Sequence, residues 1–426
     1  MKKFERVIGY TSIVKELTKL SDIVSNPEKY KSFGVKTPSG ILLYGEPGVG
    51  KTLLATSFVE ACGIKSYICR KDKPNDLFVE EIKNKYIEAS KNVPAIVFLD
   101  DIDKFANEDE HHQNTDEYIT VQSCIDEYKD KGVFTIATAN EIDNLPESLK
   151  RAGRFDINFK IFPPLGEDAV NIVTHYLSNK NVSSDVDKTI VARILNGESC
   201  ATLESVINEA GICSVFNNKK EIEMEDIIEA WLRIIGHSAE EMSSSRQKYK
   251  DRIAYHEAGH AVIYEVLMSK SVNLISIRKC CIDIGGITSF SRPEGYEYIK
   301  KFRDYSIMAM LGGMASTEIV FGDTDLGSSQ DLEKVSRMIG RLIKDCAVDG
   351  FLCLTDSLSE SKFAIDKKAK LQMFECEKYY KMAKKILIEN REFLDKIAHE
   401  LMEKETILQS DIKRIKESCT IKNFEF

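Results

Sequence analysis

Short apolar runs punctuate the first third of the chain. Gly40-Ile41-Leu42-Leu43-Tyr44, Ala95-Ile96-Val97-Phe98-Leu99 and Val133-Phe134-Thr135-Ile136-Ala137 each have the length of one buried strand. Stretches with helical spacing lie between them. That alternation predicts an α/β fold, a mostly parallel sheet with helices on both faces. After Pro163-Pro164-Leu165-Gly166 the pattern is helical only, to about residue 235, as in 168–177 and 203–216. The polar stretch Ser243-Ser244-Ser245-Arg246-Gln247-Lys248 is the best linker candidate. Beyond it the chain reads as mainly helical, with one strand-like passage over 272–290. The expected division is 1–165 for the α/β part, 166–237 for a small helical subdomain, 238–250 for the linker and 251–426 for the helical remainder.

Composition narrows the class. The chain has 426 residues, 43% hydrophobic and 30% charged, which suits a globular protein of two or three domains. Its net charge is -9 and it has no basic tract, so a nucleic-acid partner is not expected. No run of about 18 apolar residues occurs, and no apolar segment follows Met1-Lys2-Lys3-Phe4-Glu5-Arg6. The eleven cysteines show no C-x-x-C pair and one doublet, Cys280-Cys281, read as incidental. An odd count without framework spacing suits reduced thiols and the cytoplasm.

Gly45-Glu46-Pro47-Gly48-Val49-Gly50-Lys51-Thr52, followed by Leu53, fits G-x-x-x-x-G-K-[ST] between a strand and a helix. The glycines let backbone amides wrap phosphates, and the helix N-terminus adds partial positive charge. ATP and Mg2+ are the expected ligands, with Lys51 on the terminal phosphates and Thr52 on magnesium. Asp100, at the end of an apolar strand, suits the magnesium shell, and Asp101 stands where a water-activating carboxylate belongs. Asn140 closes the third strand, in position to orient water or simply to turn the chain. Arg151 and Arg154 follow in a loop. Arginines there are usually surface residues, but NTPases often borrow one in trans, which would require a ring.

His256-Glu257-Ala258-Gly259-His260 falls in a segment that reads as helix. Histidines four apart share a helix face, so both rings can reach one Zn2+. Glu257, beside the first, is placed to take a proton from a water held there. This is the pattern of a zinc peptidase.

In this order the parts resemble the FtsH-type AAA+ ATP-dependent zinc metalloproteases, peptidase family M41, from about residue 4 to residue 417. Phe4-Glu5-Arg6-Val7-Ile8-Gly9 is similar to the family's opening, whose backbone lines the adenine pocket, here through Ile8 and Gly9. His175 matches a family histidine near the nucleotide, although helix packing explains it equally well. Ala201, in Ser199-Cys200-Ala201-Thr202-Leu203, matches a turn beside the nucleotide. Arg151 and Arg154 match paired arginine fingers. The peptidase half matches through 255–261, Leu311-Gly312-Gly313-Met314-Ala315, Val320-Phe321-Gly322 and Gln330-Asp331-Leu332. The resemblance implies a P-loop AAA+ module followed by a mainly α-helical zincin-type domain, assembled as a homohexamer. In such a ring ATP hydrolysis drives polypeptide substrates to zinc. The resemblance also supplies Asp331 as third metal ligand, which spacing alone does not single out, and gives Glu318 a supporting or packing role.

Three departures stand out. The family's N-terminal membrane anchor does not occur in this sequence, so the expectation is either a soluble member, which the initial methionine mildly favours, or an anchor removed upstream. The family's hydrolytic glutamate is Asp101 here, one methylene shorter. The segment that should hold an aromatic pore loop reads Asp72-Lys73-Pro74-Asn75-Asp76-Leu77-Phe78-Val79-Glu80, where Phe78 is either a gripping residue or a core residue at a helix start. Two alternatives to an ATP-driven protease are a zinc peptidase with an attenuated motor and a non-proteolytic ring subunit. His111-His112 read as solvated, and Ile284-Gly285-Gly286-Ile287-Thr288-Ser289-Phe290 as an edge strand able to pair with extended substrate.

Overall fold

The computed structural model describes residues 4–106, 115–236, 249–278, 285–291, 299–323, 326–346 and 362–424. His111-His112, Cys280-Cys281, Ile284 and residues 238–248 of the linker lie outside them. The chain folds as two compact units, Met1–Glu223 and Met224–Phe426.

The first unit is built on five parallel strands, β1 (Gly40–Tyr44), β2 (Lys65–Arg70), β3 (Ala95–Asp100), β4 (Val133–Ala139) and β5 (Ile157–Lys160), in the order β2-β3-β4-β1-β5. All three strands anticipated from apolar runs are present, and every residue of β3 and β4 is buried. Side chains alternate across the sheet. Leu42, Val97, Leu99 and Ala137 face a core shared with α4 (Asn75–Ser90) and α5 (Thr115–Tyr128). On the other side Phe134 meets Phe58 of α3 (Lys51–Cys62), ring centroids 5.9 Å apart, and α3 packs on α1 (Thr11–Ser25). A short helix α2 (Pro27–Lys31) follows α1. The sheet is thus covered on both faces. β2 and β5 were not anticipated, because they form the sheet's two edges: β2 buries only Tyr67 and Cys69, and β5 alternates half-buried with exposed residues. Helices α6 (Gly166–Leu177), α7 (Lys188–Ile194) and α8 (Cys200–Phe216) follow, with a single parallel bridge between Val182 and Ile222.

Phe78 is fully buried in the first turn of α4, where its ring meets Phe105 edge-on at 4.8 Å. Of its two readings, core packing is the one realised.

The second unit opens with α9 (Met224–Ile234) and is organised around α10 (Lys250–Leu267). Residues 254–265 of α10 are buried without interruption. Helices α11 (Lys300–Met310), α12 (Gly312–Phe321), α14 (Lys362–Glu389) and α15 (Arg391–Lys404) pack around it, and α13 (Ser329–Asp345) lies against α11 and α14. The strand-like passage resolves into two antiparallel strands, β6 (Val272–Ser276) and β7 (Ile287–Phe290). A third strand, β8 (Thr406–Leu408), pairs with the other side of β6, and α16 (Gln409–Glu417) follows it. β7 is therefore at an edge, as read from the sequence.

Close helix contact decides which side chains α10 presents. A Cβ on Gly259 would collide with the Gly312 carbonyl oxygen, and would lie 2.7 Å from Ser316 Cβ and 2.8 Å from Gly312 C. A Cβ on Gly312 would in turn lie 2.5 Å from the Gly259 oxygen. Two glycines thus bring α10 and α12 into backbone contact, and the Ser316 hydroxyl donates to the Tyr255 carbonyl across it. Glu318, farther along α12, pairs with Lys384 at 2.8 Å and accepts from the Tyr380 hydroxyl. That ties α12 to α14, the packing role.

Candidate active sites

In the first unit the nucleotide cleft is built by the turn from β1 into α3. Gly48 and Gly50 take left-handed φ values of 79° and 93°, open to glycine at no steric cost. A Cβ on Gly48 would sit 2.7 Å from Ser199 Oγ and 2.9 Å from Ala201 Cβ, so the start of α8 packs directly on the loop. The Ala201 amide donates to the Gly48 carbonyl at 3.1 Å. The cleft's volume is about 530 Å³, within the usual range for a small-molecule site.

Val49, Pro47, Lys51, Thr52 and Leu53 line this cleft, together with Ile8, Asp101, Asn140, His175 and Ala201. Gly9 turns the chain beside Ile8 at φ 74°. Glu46 contributes its carbonyl: Lys51 Nζ donates to the oxygens of Gly45 and Glu46 at 2.8 Å each and to Asn140 Oδ1 at 2.9 Å. Burial lowers the Lys51 pKa, against the pull of Asp101, Asp103 and Asp100. Asp100 lies just beneath, its Oδ1 accepting from Thr52 Oγ1 at 3.2 Å and from Thr138 Oγ1 at 2.8 Å. Asp101 has a left-handed backbone, φ 54°, and its carboxylate pairs with Lys104 at 2.6 Å. Arg151 and Arg154 do not line the cleft of their own chain. Arg151 is exposed, and Arg154 pairs with Asp126 at 2.7 Å. Sequence reasoning missed Arg70, Thr138 and Lys104. Only Lys104, three residues past Asp101, carried a local signal.

In the second unit α10 presents His256 and His260 on one face, and α13 brings Asp331 to them. The two Nε2 atoms are 3.0 Å apart, and each is 3.3 Å from Asp331 Oδ2. His260 Nδ1 lies 2.7 Å from the Ala309 carbonyl oxygen. A proton on Nδ1 would donate there and leave the Nε2 lone pair free, the arrangement of a metal-bound histidine. A Cβ on Gly313 would lie 2.5 Å from His256 Nε2 and 2.6 Å from His260 Nε2, so glycine keeps the space before the rings clear. Burial would raise the Asp331 pKa, but His260 and His256 hold it well below the usual carboxylate range. Two imidazoles and a carboxylate, converging at the wall of one cleft, fit zinc.

Glu257 lies in the same cleft as these three residues. Its Oε2 accepts from Thr288 Oγ1 of β7 at 2.7 Å. A Cβ on Gly286 would lie 2.6 Å from Glu257 Cγ, so the start of β7 cradles the acid. The roles of Thr288, Gly286 and Ala309 were not legible in the sequence.

Two family models match the chain: the ATPase family associated with various cellular activities over residues 41–162, and peptidase family M41 over residues 243–415. The ATP-dependent zinc metalloprotease FtsH 2 of Thermoanaerobacter sp. (strain X514) is 30% identical, covering 97% of this chain and 82% of that protein. FtsH 1 of Phytoplasma mali (strain AT) is 30% identical over 97% of this chain and 70% of its own length. FtsH of Rubrobacter xylanophilus is 27% identical over 98% and 68%.

Proposed function

This chain belongs to the FtsH family of ATP-dependent zinc metalloproteases, and from that premise we propose that its two sites act in series on polypeptide substrates. The observation that carries the reading is the convergence of His256, His260 and Asp331 beside Glu257. Those three residues would hold zinc, which supplies Lewis acidity toward water and the scissile carbonyl. Glu257, held by Thr288, takes the proton of the attacking water and delivers it to the leaving nitrogen. In the first unit Lys51 and the loop amides would bind the ATP phosphates, Thr52 and Asp100 would hold magnesium, which would offset the phosphate charge, and Asp101 with Asn140 would direct the hydrolytic water.

The domains would divide at 1–165, 166–237, 238–250 and 251–426, with the AAA match (41–162) inside the first of these, whereas the second compact unit already opens at Met224 and the M41 match at residue 243. A homohexamer is supported by Arg151 and Arg154, which stand outside their own chain's cleft and would serve a neighbour's. Among the described residues no helix is long and apolar enough to cross a membrane. A cytoplasmic site of action is supported by the free thiols among the described cysteines. Phe78 in the core and Lys104 on Asp101 favour, as a second reading, a motor of reduced rate.

Degradation of an unfolded protein tests both readings, with and without ATP and with and without a zinc chelator, for the natural chain, Lys51→Ala and Glu257→Gln. The first reading expects loss with chelator and with Glu257→Gln, and strong dependence on ATP and Lys51. ATP independence with a silent Lys51→Ala supports the second. No cleavage by zinc-loaded natural protein refutes both.

A further inference from the structure

We propose that Arg70 is a positioning residue of the nucleotide site and sets how much magnesium that site requires. The proposal rests on the reading that Asp100 holds the magnesium shell. Arg70 ends β2 and is the register partner of Asp100 in β3. Its Nε and Nη2 donate to Asp100 Oδ2 at 3.0 and 2.5 Å. The other oxygen, Oδ1, takes the hydroxyls of Thr52 and Thr138. Asp100 is 3% exposed, so its charge is poorly screened by water. Lys51 and Lys104 turn their ammonium groups elsewhere, to the loop carbonyls and Asn140 and to Asp101.

Magnesium and the Arg70 guanidinium therefore draw on the same negative charge. While Arg70 holds Oδ2, the carboxylate offers a cation less than its full charge. The Arg70 side chain is 66% exposed, so it can leave without disturbing the core. Removing it leaves Thr52 and Thr138 to hold Oδ1, and the carboxylate keeps its place.

The test is magnesium titration of a fluorescent ATP analogue bound to the full chain, read as anisotropy, with hydrolysis not required. Arg70→Ser should lower the magnesium concentration for half-maximal binding by roughly three- to tenfold, a modest effect because the guanidinium is solvent-screened. Arg70→Lys, which keeps the charge, should stay within about twofold of the natural chain. An unchanged or raised requirement in Arg70→Ser overturns the proposal, as does failure of that variant to bind at saturating magnesium. Binding by the natural chain that ignores magnesium overturns the reading of Asp100 itself, and this proposal with it.

Discussion

Gly259→Ala tests whether helix contact builds the metal site. The added Cβ would meet the Gly312 carbonyl oxygen, Ser316 Cβ at 2.7 Å and Gly312 C at 2.8 Å. Two of these three are backbone atoms, which cannot rotate away. α10 and α12 must separate by roughly 1 Å before the contact becomes ordinary. Overpacking of this kind costs about 1–3 kcal/mol, more than the ~1 kcal/mol that alanine gains over glycine inside a helix. The separation also moves Gly313 relative to His256 and His260, whose Nε2 atoms its Cβ would meet at 2.5 and 2.6 Å. Zinc affinity should fall by about 10- to 100-fold, the usual cost of disturbing the surroundings of a metal ligand. Gly340→Ala is the control, since its Cβ would meet nothing nearer than Gln372 Nε2 at 3.7 Å. The assays are thermal unfolding and zinc retention against a competing chelator. The reasoning is refuted if Gly259→Ala matches Gly340→Ala in both.

Two further substitutions address the reacting acids. Asp101→Glu restores the missing methylene, and should raise kcat for ATP hydrolysis on the order of tenfold with little change in KM; an unchanged kcat with intact nucleotide binding would show that reach is not limiting. Thr288→Val removes the hydroxyl that donates to Glu257 Oε2 at 2.7 Å. Peptide cleavage should slow about tenfold with zinc content unchanged, and Thr288→Ser should restore it; natural rates in the valine variant would dismiss the contact.

The strands legible in the sequence are those buried on both faces, where the apolar run is continuous, as in β3 and β4. In the edge strand β5 polar residues stand at alternate positions, and in β2 only Tyr67-Ile68-Cys69 is apolar between polar ends, so no long run marks either. β8 is three residues long and exists through its pairing with β6. The opposite limit is α10, buried without interruption over 254–265, where no polar face is left to show a helical period. There the spacing of His256 and His260 supplied what hydrophobic pattern could not.

The sites divide along the same line. The phosphate loop and the histidine pair are contiguous, so their chemistry is written within eight residues or one helical turn. Asp331 arrives on a separate helix, and only the resemblance singled it out; its Oδ2 lies 3.3 Å from both rings. The groups that touch the reacting acids are more distant still. Arg70 reaches Asp100 through the register of β2 on β3, and a reader who misses β2 cannot see the pair. Thr288 reaches Glu257 from β7. Each such contact changes the charge or placement of an acid without altering the motif that contains it. Two chains with identical motifs can therefore differ in magnesium requirement and rate, and in this chain Asp101, Lys104 and Arg70 are where that difference is to be measured.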